Sequence, residues 1–307
     1  MPKFNSYLSK KIVLELLSFF GIIGSRKIGT HESGNTLLRL NKKSKLGHRG
    51  SKILMPKDNV MYKHVKYFGS WELDECQYLA SALDIMEKSS EKVNLVDVGA
   101  NCGLTTLQVV YSRKMKPEIS KIKYIAVEPF LLHLVALREN LKPIPDSNLT
   151  IYPFALTQNQ TGKIQLFTET NNYGNSSLLD EVVNRVNRRV EIVETKTIKE
   201  FTDLYDLKNT NIVLKIDTQG LDWMLLSEFA KNLSVNIKVV MVEVWAISSI
   251  SISDLDNLRE FISDFDYRSW TPFDSSRISI AEILDFWSGK SEKTRNLYLS
   301  KFPITRI

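Results

Sequence analysis

Cysteine and histidine are scarce in this chain of 307 residues. Two cysteines, Cys76 and Cys102, are too few for a disulfide framework, so a reducing, cytoplasmic setting is expected. The four histidines, His31, His48, His64 and His133, form neither an H-x-x-x-H spacing nor a Cys/His cluster, which argues against a His/Cys metal site. Long apolar runs are missing too. The nearest approach, Ile12–Ile23, is interrupted by Glu15 and falls short of the roughly 17–25 residues a bilayer span needs. No small-residue cleavage site follows it, which argues against a secretory leader. There are no internal repeats and no low-complexity runs. At 43% hydrophobic residues the chain can nevertheless bury a full core.

A net positive charge is confined to the N-terminal part of the chain, although the total is +6. Residues 1–66 hold 14 Lys and Arg against 3 Asp and Glu, which leaves the remaining residues at a net −5. A nucleic-acid enzyme would put its basic surface around the cleft, so this distribution disfavours nucleic acid as partner. It suits a basic arm that meets something anionic. Residues 7–24 carry a helical pattern whose polar stripe is Lys11, Glu15 and Ser18. Such a helix either docks on protein, its own or a second chain's, or lies at an anionic membrane with Lys10, Lys11, Arg26 and Lys27. Arg39–Lys52 is basic without interleaved aromatics and reads as a solvated linker. The expected organisation is an amphipathic helix and basic arm over 1–66 and a catalytic domain over 67–307.

The stretch Val93–Thr106 organises the rest. Val93–Val98 reads as a buried parallel strand, Gly99 and Gly103 as a turn, and Leu104–Lys114 as a helix. Asp97 falls at the strand's carboxyl end, where open α/β sheets bind ligands. The dinucleotide spacing G-x-G-x-x-G is not met, because an acid stands where its first glycine would be. An acid there suits a cationic ligand, and S-adenosylmethionine carries an ammonium and a sulfonium. Glu128 ends a second strand 25 residues after Gly103, close to the roughly 20 at which a βαβ unit holds ribose hydroxyls, the polar insert Ser112–Ser120 accounting for the excess.

Further along, a helix is expected at Asp74–Lys88 and another at Phe130–Leu141, with strands at Leu149–Phe154, Lys163–Thr168 and Val190–Thr195. Glu169–Ser177 reads as a polar loop. Ile212–Asp217 and Val235–Val244 are core strands, Ser253–Phe265 a helix, and Asn296–Phe302 an edge strand. Alternating strands and helices predict an α/β fold with a parallel sheet.

With these pieces in order, the chain resembles the FkbM family of S-adenosylmethionine-dependent methyltransferases. The resemblance rests on Gly69-Ser-Trp-Glu72, Asp97-Val-Gly-Ala-Asn-Cys-Gly103, Val127-Glu128-Pro129, Ala155-Leu156, Ser176-Ser177, Leu214-Lys-Ile-Asp217-Thr-Gln-Gly220 and Val242-Glu243. It covers residues from about 67 to the C-terminus. It implies a Rossmann-like class I methyltransferase fold, seven-stranded and mostly parallel with an antiparallel last strand. It implies O-methylation of a sugar, glycan or secondary metabolite. Gln219 departs from the glutamate, and Cys102 from the branched aliphatic, common in the family.

In such a site Asp97, Gly99, Ala100, Asn101 and Gly103 would hold the methionine part of the cofactor and Glu128 its ribose. Phe154 and Ala155 would flank the adenine, the Phe154 ring either stacking on it or lying in the core. Loss of the acceptor proton calls for a base, for which Asp217 and Glu243 are the candidates, with Lys215 polarising the acceptor or pairing with an acid. Asp217 and Glu243 would also suit a divalent cation, for which no third oxygen ligand is evident. No Asn/Asp-Pro-Pro-aromatic sequence follows the Ile212–Asp217 strand, which argues against amine methylation of bases. The alternatives are an RNA ribose 2′-O-methyltransferase with the basic arm on phosphates, and a non-catalytic adapter that keeps the fold.

Overall fold

The computed structural model describes residues 24–89, 92–113, 120–183, 185–205, 207–245, 252–274, 276–288 and 294–306. The helix expected over residues 7–24 lies outside them except for Gly24, as do residues 114–119 of the polar insert. Described residues begin as an antiparallel meander of β1 (Ser25–Thr30), β2 (Thr36–Leu40) and β3 (Lys52–Met55). The basic stretch expected as a solvated linker joins β2 to β3. Its Lys42, Lys43, Lys45 and Arg49 are exposed, but Leu40 and Leu46 are buried, so the loop is pinned rather than free. Then come α1 (Met61–Phe68), which ends on Gly69 in the left-handed region, and α2 (Leu73–Ser89).

The alternating part contains β4 (Val93–Val98), α3 (Leu104–Ser112), β5 (Ile122–Val127), α4 (Leu131–Asn140) and β6 (Leu149–Tyr152). An inserted block follows: β7 (Ala155–Thr157), β8 (Gly162–Glu169), β9 (Asn172–Ser177) and β10 (Arg188–Thr197). The stretch expected as a polar loop is therefore largely strand β9, antiparallel to β8. Helix α5 (Ile198–Leu204) starts on a Thr197–Glu200 capping box. Next are β11 (Asn211–Ile216), α6 (Asp222–Leu233), β12 (Ile237–Trp245), α7 (Ile252–Ser263), β13 (Tyr267–Ser269), α8 (Ile280–Ser288) and β14 (Thr294–Ser300).

Among the described residues the central sheet has seven strands in the order β13-β14-β12-β11-β4-β5-β6. Only β14 is reversed, antiparallel to β12 and to β13. The α/β class and the antiparallel last strand are as expected, but β14 is internal, and the short β13 is the edge that protects it.

All six residues of β4 are buried, Asn94 and Asp97 included, as its place in the middle of the sheet requires. Period-two alternation splits the strands between two cores. Leu95, Val213 and Met241 face α2, α3, α4 and the N-terminal meander. Val96, Val98, Leu214, Ile216 and Val242 face α5, α6, α7 and α8. Asn140 joins the first core to the glycine turn. Its side chain accepts from Leu54 N–H and donates to the carbonyls of Leu54 and Cys102, each at 2.7 Å.

Candidate active site

The chain turns sharply after β4. The N–H groups of Gly99 and Ala100 both donate to the Val127 carbonyl at 3.0 Å, which folds the turn over the end of β5. Gly99 has φ +75°, and a Cβ there would lie 1.8 Å from the Asp217 carbonyl oxygen. Gly103 has φ +78°, and its Cβ would lie 2.7 Å from Leu137 on α4. The missing side chains let neighbouring protein, the end of β11 and helix α4, close on the turn. Asn101 also has a positive φ of 51°, which asparagine tolerates, and its Oδ1 accepts from Cys102 N–H.

Glu128 stands beside this turn. Its Oε2 accepts from Asn101 N–H at 2.8 Å and its Oε1 from Phe130 N–H at 2.9 Å. His133 Nδ1 is 3.4 Å from Oε1, while His133 Nε2 is buried without a hydrogen-bond partner. Asp97, 1% exposed, is placed differently. Its Oδ2 accepts from Thr106 Oγ1, and its Oδ1 lies 3.1 Å from Lys215 Nζ. Lys215 also donates to the Gly99 carbonyl at 3.0 Å and approaches Asp217 Oδ2 at 3.7 Å. Burial alone would lower the Lys215 ammonium, but the charges of Asp97, Asp217 and Glu72 outweigh it and raise its pKa.

Beyond Lys215 a cluster of acids gathers around Gln219. The Gln219 amide nitrogen donates to Asp217 Oδ1 at 2.7 Å and to Glu243 Oε2 at 2.9 Å, from a left-handed backbone of φ 55°. Trp245 Nε1 also donates to Glu243 Oε2. Burial, then the charge of Asp217, pushes the Glu243 carboxyl up to about 8, against the opposing pull of the Trp245 bond. The same two causes push Glu72 up to about 8, and its φ of 40° marks a strained backbone. Asp222 accepts from the N–H groups of Thr218 and Gly220 and so fixes the turn that presents Asp217 and Gln219. Burial, then Asp217, pushes it up to about 6.

Glu72, Glu128, His133, Lys215, Asp217, Gln219, Glu243 and Trp245 border one cleft. Its larger part, about 370 Å³, is lined by Trp71, Glu72, Ala100, Asn101, Lys215, Asp217, Gln219, Glu243 and Trp245, with Asn172, Gly174 and Asn175 from the inserted sheet. Its smaller part runs along Val127, Glu128, His133, Phe154, Ala155, Leu156 and Leu221. Gly99, Asn101, Gly174, Asp217 and Gln219 line both.

Residues 97–269 match the methyltransferase FkbM domain. The chain belongs to that family. As an FkbM methyltransferase it is S-adenosylmethionine-dependent. Among solved structures it is similar to a SAM-dependent methyltransferase from Agrobacterium tumefaciens, at 9% identity over 91% of this chain and 77% of that one, with a TM-score of 0.40. It is also similar to Aeropyrum pernix fibrillarin with natively bound S-adenosyl-L-methionine, at 9% identity over 90% and 99%, TM-score 0.36. A third is precorrin-6y C5,15-methyltransferase from Geobacter metallireducens, at 11% identity over 73% and 87%, TM-score 0.33. No curated protein sequence matches the chain.

The FkbM chain fits its cofactor on the donor set present. The smaller part of the cleft has apolar walls for a flat purine, and beside them an oriented carboxylate and the unpartnered His133 Nε2 for ribose hydroxyls. Phe154 borders this part, yet its ring also stacks on Tyr152 at 5.4 Å within the core. Asp97 lies behind the lining of both parts, where its carboxylate pairs with Lys215, and Gly99 and Asn101 of the turn line the cleft. Among the described residues no group of three or more His, Cys, Asp or Glu is placed to hold a metal ion. Between Asp217 and Glu243 the Gln219 amide already bonds both carboxylates.

Sequence reasoning brought Glu128, Lys215, Asp217 and Glu243 to one cleft. It missed Glu72, His133, the two indoles and the β9 amides. Glu72 was visible only as part of Gly69-Ser-Trp-Glu72. The β9 residues gave no signal, since their strand forms by pairing with β8 rather than by its own composition.

Proposed function

We propose that the chain is an O-methyltransferase whose acceptor is a hydroxyl of a sugar, a glycan or a secondary metabolite of similar polyol character. The observation that carries this is the lining of the larger part of the cleft. The indoles Trp71 and Trp245 stand there beside the carboxamides Asn172, Asn175 and Gln219 and the carboxylates Glu72, Asp217 and Glu243. Indole faces suit the C–H faces of a sugar ring, and carboxamides and carboxylates pair with its hydroxyls.

When bound, S-adenosylmethionine supplies an electrophilic methyl group on a sulfonium. The protein's part is to orient the acceptor and take its proton. Asp217, a third of whose side chain is exposed, is the proton acceptor in this reading. Gln219 holds Asp217 and Glu243 at a fixed separation. Lys215, locked by Asp97 and the Gly99 carbonyl, sets a positive charge beside the oxygen that develops negative charge.

The test is a screen with methyl-labelled cofactor against sugars, glycans, polyol metabolites and RNA. Label released by mild treatments that cleave methyl esters, or found only on nitrogen, would overturn the hydroxyl-acceptor reading. Transfer to RNA that falls steeply with salt would support the ribose alternative instead.

A further inference from the structure

Three features that are separate in sequence converge on Gly69. The first is where the apolar N-terminal run ends: Gly24 is wedged against α1, so close that a Cβ would lie 2.1 Å from the Lys66 carbonyl oxygen. The second is the basic β2–β3 loop. Lys45 N–H and Ser44 Oγ both donate to the Gly69 carbonyl, at 2.8 and 2.7 Å, and Asn41 N–H donates to the Gly24 carbonyl. A Cβ on Gly69 would sit 3.0 Å from the Ser44 Cα and 3.1 Å from the Gly24 Cα. The third is the outer face of α1, where Val60, His64 and Phe68 recur at helical spacing. Val60 is 46% and Phe68 54% exposed, with Lys63 exposed beside them.

The charge of this corner is one-sided. Residues 24–69 contain 11 Lys and Arg but only 2 acids, Glu32 and the buried Asp58. Lys42, Lys43, Lys45 and Arg49 are exposed on the loop that Ser44 and Lys45 bond to Gly69. The cleft is close by: Val60, Met61, Trp71 and Glu72, at either end of α1, line its larger part. Exposed apolar side chains with a lysine beside them on one helix, and further basic residues on the loop bonded to it, are what an anionic bilayer surface binds. Among the described residues no helix is long and apolar enough to cross a membrane, so contact through them is with its surface.

We propose that this enzyme works docked on an anionic membrane, with the Gly69 corner as its lipid-facing surface. If the acceptor is a glycan as argued above, the docked cleft opens where a lipid-carried glycan would be, and that clause alone rests on the proposed function.

The experiment is co-sedimentation of the full chain with vesicles of phosphatidylcholine, alone or mixed with phosphatidylglycerol at roughly 7:3. The wild type should pellet with the anionic vesicles and stay in solution with the neutral ones. A Phe68→Asp, Lys63→Glu double variant should bind the anionic vesicles about tenfold more weakly. A rise in melting temperature with S-adenosylmethionine, equal to that of the wild type, would show that the variant is folded and keeps its cofactor site. Failure of that rise in the wild type would count against the methyltransferase reading, whatever the vesicles show. Vesicle binding unchanged in the double variant, or no binding by the wild type, would overturn the proposal. So would a concentration-dependent dimer in sedimentation velocity that the double variant abolishes, because a second copy would then cover this face.

Discussion

One amide nitrogen, on Gln219, is shared between carboxylates that end neighbouring strands, and this sets how the cluster titrates. Folding raises Glu72 and Glu243 from their ordinary 4.5 to about 8. Between those values the folded chain holds protons that the unfolded chain has released, so these groups make stability fall as pH rises through that window. Activity should run the other way. We expect kcat/KM to rise with pH along a limb centred near 8 that belongs to the cluster as a whole. Gln219→Glu replaces the donor with a third acid and should move the limb upward by about one pH unit, which a pH–rate profile would show. Asp217→Asn should leave the cofactor-induced rise in melting temperature intact and lower kcat by about 10²–10⁴-fold. Wild-type turnover in that variant would remove Asp217 as base. The acids at strand ends were legible because an acid closing an apolar strand is conspicuous. Glu72 was not, since it precedes a helix as many ordinary acids do.

Loops after parallel strands succeed or fail by how closely they approach one another. Gly50 has open space around its missing Cβ, whereas the Cβ of Gly99 would strike the backbone after β11. Gly99→Ala should therefore cost about 3 kcal/mol or more and lower Tm by roughly 5–10 °C, while Gly50→Ala should cost about 1 kcal/mol, both measurable by thermal unfolding. Elements with strong local patterns, such as β4, β11 and α4, could be read from the chain. Helix α8 was overlooked although its signal was present: Ser279 and Glu282 form reciprocal side-chain-to-backbone bonds ahead of the buried Ile283, Leu284 and Trp287. The internal place of β14 had no local signal, since which strands flank it is decided by packing of distant segments.

At the scale of the whole molecule, the boundary expected near residue 66 falls inside α1. The meander supplies Leu38, Leu40, Leu46, Ile53, Leu54 and Met55 to the same core as Leu79, Leu107 and Leu137. Each such side chain contributes about 1.5–3 kcal/mol on burial, so together they match a net stability of about 5–15 kcal/mol. Deleting residues 24–58 should thus yield insoluble or unfolded protein, seen as loss of the cooperative melting transition. A cooperative transition with S-adenosylmethionine binding in that deletion would show the meander to be dispensable. Composition revealed the charge of this segment but not its fold, because its apolar residues fall in short clusters, Leu37–Leu40 and Ile53–Met55, separated by a basic stretch.

The near-collision of Gly99 with the Asp217 carbonyl ties the donor half of the enzyme to the acceptor half. Neither loop can be recut alone. Anyone grafting a new specificity from a relative, and equally any lineage drifting toward a new acceptor, would have to transplant both segments as a matched pair.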